Sequence, residues 1–153
     1  MSLPDPYNRD MALLSAQDEQ VLTQHLSAIE KPVTVLLFTQ TIGGSESGPV
    51  ARQVLDEVAR LNDKITIEEK NFILDLDDRS QYGVDQSPAI VLLAGGEDTR
   101  MRMFGAPTGY EFVGLVEAIL IAGTGKVDLQ DETLKLIAAV DKPTKIQVFS
   151  TPT

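Results

Sequence analysis

The sequence contains no cysteine, no tryptophan and a single histidine, and only 5% of its residues are aromatic. Without cysteine, the chain has no disulfides, no thiolate metal sites and no cysteine nucleophile. One imidazole, that of His25, is too few for metal sites built from several histidines. We therefore expect no metal, no cofactor and no catalytic residue in this chain.

The sequence also lacks long apolar runs and an excess of positive charge. Its longest apolar runs, such as Ile119–Ala122, are far too short to span a bilayer. The N-terminus has no cationic flank followed by an apolar signal core, which predicts a cytoplasmic protein. A net charge of -10 repels phosphate backbones and anionic lipids. We expect neither nucleic-acid binding nor membrane binding.

A chain of 153 residues, 42% hydrophobic and 24% charged, is suited to one globular core. Hydrophobic periodicity and turn signals predict alternating helices and strands, and therefore an α/β protein. The predicted helices are Asp10–Glu30 with a cap at Ser15 and Asp18, a helix that has Pro49 in its first turn, Asp75–Tyr82, Tyr110–Ala122 and Asp128–Val140. The predicted strands are Val33–Phe38, Ile65–Phe72, Ala89–Leu93, Thr99–Phe104 and Lys145–Phe149.

The loop between the first strand and the second helix is the clearest candidate for a site. Gly43 and Gly48 have the spacing of a P-loop, but Pro49 and Val50 replace its lysine and its hydroxyl residue. Ser45 lies in a G-x-S-x pattern, but no histidine follows it to act as a base. From these residues alone, the loop is a flexible connection in which Ser45 or Ser47 caps the following helix.

The stretch YGVDQSPAIVLLAGGEDTRMRMFGAPTGYEFVGLVEAI, Tyr82–Ile119, carries a family resemblance, and Phe104–Phe112 is its most specific part. It resembles the first unit of the glutaredoxin-like protein disulfide oxidoreductases, which contain two thioredoxin-like units in tandem. It is also similar to the N-terminal domain of the alkyl hydroperoxide reductase F subunit. The resemblance implies a thioredoxin-like α/β fold with a central mixed sheet of about four strands flanked by helices.

The same resemblance divides the chain into three parts. Residues 1–31 are expected to form an N-terminal helical extension, and residues 32–125 a degenerate thioredoxin-like unit. Residues 126–153 are expected to form a linker helix and the first strand of a second unit, so that the fold ends in a helix-strand extension.

The resemblance also assigns positions to the active site of the family. Ser45, Glu46, Ser47 and Gly48 take the place of the C-x-x-C motif, so this unit cannot exchange disulfides by itself. Ser87 and Pro88 match the residue before the cis-proline and the cis-proline itself. In the family this proline shapes a groove for an extended substrate backbone, so peptide binding is expected to outlast the redox chemistry.

The final residues, KIQVFSTPT, resemble the strand that precedes the C-x-x-C motif of the second unit. Three explanations are open for an end at this position: a designed end, a genuine stop codon, or a UGA codon for selenocysteine that was read as a stop. The nucleotide sequence distinguishes them. An apolar strand at Lys145–Phe149 without its own unit would expose unpaired backbone groups that can pair with another chain. We therefore expect a homodimer.

The sequence therefore predicts a redox-inactive thioredoxin-like domain that binds proteins or peptides, thiol proteins among them. The alternative is the N-terminal half of a disulfide or peroxide reductase whose C-x-x-C or U-x-x-C half is absent. A third interpretation is a glutathione-binding protein in which Ser45 stabilises a thiolate. Only that third interpretation requires measurable binding of glutathione.

Overall fold

The computed structural model describes residues 13–151, in which helices flank one sheet. The elements are α1 (Ala16–Leu26), β1 (Val33–Thr39), α2 (Ser47–Ala59), β2 (Ile65–Asn71), α3 (Leu76–Gln81), β3 (Ala89–Ala94), β4 (Glu97–Phe104), α4 (Tyr110–Thr124) and α5 (Asp131–Ala138). The predicted α/β class and the mixed sheet of four strands are confirmed. No helix within residues 13–151 combines the length and the apolar character needed to cross a membrane.

The four strands are ordered β2-β1-β3-β4. β1 runs parallel to β2 and antiparallel to β3, and β3 runs antiparallel to β4. The last residues of β1, β2 and β4 therefore lie at the same end of the sheet as the first residue of β3. We call this end, marked by Thr39, Asn71, Ala89 and Phe104, the site end.

The sheet buries apolar side chains on both faces, as the unbroken apolar sequences of β1 and β3 predict. On one face, α1, α2 and α4 cover a cluster that includes Leu37 and Ile119. On the other face, a smaller cluster includes Phe38 and Val91. Because successive residues of a strand point to opposite faces, β1 contributes to both clusters.

The first helix is shorter than predicted but begins at the predicted cap. The Ser15 hydroxyl accepts a hydrogen bond from the amide of Asp18 at 3.1 Å, and the Asp18 carboxylate accepts one from the amide of Ser15 at 3.3 Å. This reciprocal pair fixes the start of α1 at Ala16. The predicted start at Asp10 lies outside the described residues.

The chain after α1 is hydrogen-bonded to α4 near the end of the sheet opposite the site end. The amides of Glu30 and Lys31 both donate to the carbonyl of Gly123 in α4, at 3.0 and 2.9 Å. Leu26 and Ile29 are buried in the same cluster as the sheet residues. Leu26 and Ile29 therefore share the core of the sheet, and the predicted domain boundaries stay predictions.

The hairpin turn is shorter than predicted. Only Gly95 and Gly96 separate β3 from β4, and both have the positive φ that a tight hairpin turn requires. β4 therefore begins at Glu97 rather than at Thr99. It contains a bulge at which Arg100 has a φ of +64°, so its side chains do not alternate regularly.

The predicted strand Lys145–Phe149 is wrong within this chain. These residues belong to no helix or strand and pair with no strand among residues 13–151. The side chains of Ile146, Val148 and Phe149 are 84%, 86% and 89% exposed. An alternating apolar sequence favours extended backbone, but a strand also needs a neighbour to supply hydrogen bonds. The predicted helix before it exists as α5, and none of its side chains is buried.

Candidate functional site

The loop that follows β1 makes a sharp turn that depends on its glycines. Gly43 has a φ of +71°, and a Cβ atom on Gly44 would lie 1.9 Å from the carbonyl oxygen of Gln40. The Gln40 side chain spans the turn, because its Nε2 donates to the carbonyl of Ile42 at 2.8 Å. Gly43 and Gly44 are therefore explained by backbone geometry rather than by phosphate binding.

The four residues at the predicted C-x-x-C position form the start of α2. Glu46 is the N-cap residue, but its side chain makes no capping hydrogen bond. The prediction that Ser45 or Ser47 caps the helix is wrong, because neither hydroxyl accepts a hydrogen bond from the first turn of α2. Instead, the backbone amide of Gly48 donates to the backbone carbonyl of Ser45 at 3.3 Å. Ser45 and Glu46 are exposed, Ser47 is half-buried and Gly48 is buried.

The Ser87–Pro88 segment lies at the start of β3. Its peptide bond is cis, and Pro88 is buried. The Ser87 hydroxyl donates to the carbonyl of Phe38 at 3.4 Å, and the Pro88 carbonyl accepts from the amide of Gly105 at 2.9 Å. Pro88 lacks an amide hydrogen, and at the first position before a strand no central ladder bond is lost.

Thr39 brings the two predicted segments together at the site end. Phe38 pairs with Ala89, so Pro88 lies next to the following residue of β1, Thr39. On the other side, a Cβ atom on Gly48 would lie 3.7 Å from Cγ2 of Thr39, an ordinary van der Waals contact. The structure thus places the start of α2 and the cis-proline on either side of one β1 residue.

A network of charged groups lies beside this pair of segments. The Thr39 hydroxyl donates to Glu69 at 2.8 Å, and the other oxygen of Glu69 accepts from Arg52 at 2.8 Å. Arg52 also donates to Asp56 at 2.9 Å, and this hydrogen bond is the largest cause of its raised pKa. Arg52 is therefore held as a cation by two carboxylates and does not provide a free positive charge.

The described residues bring no group of metal-ligating side chains together at this site. In the part of the chain that the structure describes, no three acidic, histidine or cysteine side chains are grouped as metal ligands would be. His25 is exposed near the end of α1, just before the chain that is fastened to the opposite end of the sheet. The site is built from the N-terminus of α2 and the cis peptide bond before Pro88.

Sequence reasoning missed a cavity on the same face of the sheet as α2. An apolar cavity of about 270 Å³ is lined by Leu13, Leu14, Val54, Glu57, Pro107, Thr108, Gly109 and Phe112. The Glu57 carboxylate forms one wall and accepts from the amides of Leu13 and Leu14, at 2.8 and 3.2 Å. Four of the lining residues belong to the segment Phe104–Phe112, so part of that segment's distinctive sequence shapes this cavity.

No model of a protein family matches the chain. Among curated proteins, it is 27% identical over 138 residues to the F subunit of alkyl hydroperoxide reductase from Staphylococcus epidermidis, and 24% identical over 137 residues to that from Escherichia coli K12. These alignments cover 90% of this chain but only 24% of each relative, so the chain spans about a quarter of the proteins it matches.

The solved structures agree with the sequence comparison. The NTD_N/C domain of the alkyl hydroperoxide reductase AhpF from Enterococcus faecalis is 28% identical with a TM-score of 0.77, over 84% of this chain and 62% of that one. A protein disulfide oxidoreductase from Aeropyrum pernix, at 22% identity and a TM-score of 0.69, supports the fold alone; it covers 82% of this chain and 54% of that one. The resemblance inferred from sequence is confirmed: the chain has a thioredoxin-like fold and is similar to the N-terminal domain of the F subunits of alkyl hydroperoxide reductases.

Proposed function

We propose that this chain is a redox-inactive thioredoxin-like domain that binds an extended segment of another protein or peptide. The observation that carries the proposal is the meeting of the α2 start and Ser87–Pro88 on either side of Thr39, in a chain without cysteine. Disulfide exchange requires a thiolate, which no residue of this chain supplies. The backbone groups at the α2 start and beside Pro88 do not depend on a thiol.

A cysteine-insertion experiment tests whether residues 45–48 occupy the redox position. The wild-type chain is expected to reduce a disulfide substrate no faster than buffer does. The double variant Ser45→Cys/Gly48→Cys is expected to gain activity, because a Cβ atom on Gly48 has room and the α2 N-terminus stabilises a thiolate. The matched control is Ser45→Ala/Gly48→Ala. Activity in the wild type, or none in a folded cysteine variant, would contradict the proposal.

A binding experiment tests the groove itself. Labelled extended peptides, with and without a cysteine, are titrated with the chain and followed by fluorescence anisotropy. The variant Ser45→Trp should weaken binding at least about tenfold, since a bulky side chain would fill the space beside the α2 start. Ser27→Trp, at a serine after α1 that is also exposed, should leave the affinity unchanged. Equal affinities in the two variants would place the peptide elsewhere.

The second candidate function is a non-thiol unit of a disulfide or peroxide reductase. It is favoured by the names of the relatives and by the small fraction of their length that this chain covers. In that case the catalytic pair, cysteine or selenocysteine, resides on another unit. Addition of this chain to a thioredoxin-like unit that carries C-x-x-C should then raise the rate of disulfide reduction, whereas the first proposal predicts no change.

We propose in addition that the chain forms a homodimer in the cytoplasm. The proposal is supported by the three apolar side chains of residues 146–149, which are almost fully exposed. Burying such surface is the main favourable contribution to association. A mass that remains that of a monomer at every concentration tested would count against it.

A further inference from the structure

The site end of the sheet has exposed apolar side chains at or just after the ends of three strands. Ile42 is 89% exposed in the loop after β1, Leu74 is 76% exposed after β2, and Phe104 is 38% exposed where β4 ends. Neighbouring strands are about 4.8 Å apart, so the four strand ends span about 14 Å. That width matches about four or five residues of an extended chain.

Two carboxylates at the site end have no charged partner among the described residues. Glu46 precedes α2 and Asp85 precedes Ser87, and neither carboxylate makes a hydrogen bond or ion pair with another residue in 13–151. The cations nearby are engaged: Lys70 pairs with Asp78 at 2.9 Å, and Arg79 stacks over Phe72 at 4.1 Å. Arg52 is held by its two carboxylates, as described above. An apolar surface with unpaired acids at its rim favours a partner that is both apolar and basic.

The chain itself contains a segment of that chemistry. Residues 142–149, KPTKIQVF, which we call the basic arm, carry two lysines and no acid within a chain of net charge -10. Lys142 and Lys145 have no ion-pair partner in the described chain. From Lys145 onward the basic arm belongs to no helix or strand, and its apolar residues are uncovered.

Contacts within one chain do not bury the apolar side chains of the basic arm. The hydroxyl of Ser150, just beyond it, hydrogen-bonds to Glu111 in the first turn of α4. Despite this contact, Ile146 and Val148 are 84% and 86% exposed. The site end of a second copy presents acidic and apolar side chains across a width of about four or five extended residues.

We propose that the basic arm of one copy lies across the site end of a second copy, and that the exchange is reciprocal. This inference rests on the proposed function, because it names the peptide that the same groove binds. Lys145 and Lys142 lie near Glu46 and Asp85 of the other copy, and the apolar residues of the basic arm contact its exposed apolar loops. A two-fold axis makes the two contacts identical, so the assembly closes as a dimer.

Charge reversal on each surface tests the proposal. The arm variant is Lys142→Glu/Lys145→Glu, and the site variant is Glu46→Lys/Asp85→Lys. Each alone should dimerise at least about tenfold more weakly than wild type in sedimentation experiments, because like charges then face each other. When the two variants are mixed, both contacts regain opposite charges. The mixture should therefore form heterodimers with nearly wild-type affinity, and this affinity should fall with added salt.

A matched control separates local contacts from net charge. Asp63→Lys/Glu97→Lys makes the same change in net charge at exposed positions beside the starts of β2 and β4, at the opposite end of the sheet. It should dimerise at least as well as the wild type. Circular dichroism of all variants verifies that each is folded.

Three outcomes would overturn the inference: a wild-type chain that stays monomeric, two charge-reversed variants that fail to rescue each other, or a control as impaired as the site variant. A monomer that still binds foreign peptides in a manner sensitive to Ser45→Trp would overturn this inference alone and leave the proposed function standing. If the wild-type chain bound no peptide and its dimerisation were insensitive to both charge reversals, the inference and the proposed function would both be overturned.

Discussion

Helices α4 and α5 both contain closely spaced apolar residues, yet only α4 is packed into the core. In α4, Leu115 and Ile119 are fully buried against the sheet. In α5, Leu136 and Ile137 are 72% and 53% exposed, and no residue is buried. The difference shows that an apolar stripe predicts a helix, whereas its burial depends on where the preceding chain leaves it.

The largest expected effect on stability comes from truncating one isoleucine in each of these helices, Ile119 in α4 and Ile137 in α5. Ile119→Ala should lower the free energy of unfolding by about 2–5 kcal/mol, because it leaves a cavity in the core. Ile137→Ala should change it by less than about 0.5 kcal/mol in the monomer, because the side chain is already exposed. Urea unfolding at low protein concentration measures both. Similar losses for the two variants would show that α5 is packed in the monomer.

Part of this contrast was predictable from sequence. The unbroken apolar sequence of β1 predicts a strand that is buried on both faces, and its bounds were correct to one residue. The sequence of Lys145–Phe149 has a similar apolar character, but it forms no strand. Local sequence predicts an extended conformation for both segments. Only the tertiary arrangement determines that β1 has neighbours on both sides and that the later segment has none.

The candidate site was predictable in part for the same reason. The positions of Ser45–Gly48 and Pro88 came from the resemblance, and the strand order brings them together at Thr39. The cavity beside Glu57 was not predictable, because its lining comes from three segments far apart in sequence. No residue spacing within one segment signals such a cavity.

The next largest effect concerns how closely α4 approaches the chain after α1. A Cβ atom on Gly123 would lie 2.7 Å from Cγ2 of Ile29, a residue that is 1% exposed. Gly123→Ala should therefore lower the free energy of unfolding by about 1–3 kcal/mol, despite the better helix propensity of alanine.

The matched control for that variant lies in the same helix. A Cβ atom on Gly114 would have no heavy atom of another element within 4 Å. Gly114→Ala should raise the free energy of unfolding by up to about 1 kcal/mol, because alanine favours the helix. Thermal unfolding of the two variants checks the opposite signs. A stabilised Gly123→Ala would mean that α4 and the chain after α1 are not in close contact.

The smallest expected effect on stability comes from two ion pairs, one within β4 and one between Lys126, just after α4, and Glu30. Arg102 donates to both oxygens of Asp98, at 2.8 and 2.7 Å, and these hydrogen bonds are the main cause of the lowered pKa of Asp98. Lys126 and Glu30 are 3.6 Å apart, and their side chains are 79% and 70% exposed.

Because the folded-state pKa of Asp98 is below its unfolded value, its ion pair stabilises the fold fully above the ordinary aspartate pKa of about 3.9. That contribution is lost as the pH falls through the lower, folded-state pKa. Asp98→Asn should cost less than about 1 kcal/mol at neutral pH, since the pair is partly solvated. The difference from wild type should shrink below about pH 4. Glu30→Gln should leave urea unfolding unchanged throughout; a loss that matches that of Asp98→Asn would place Lys126 inside the packed unit.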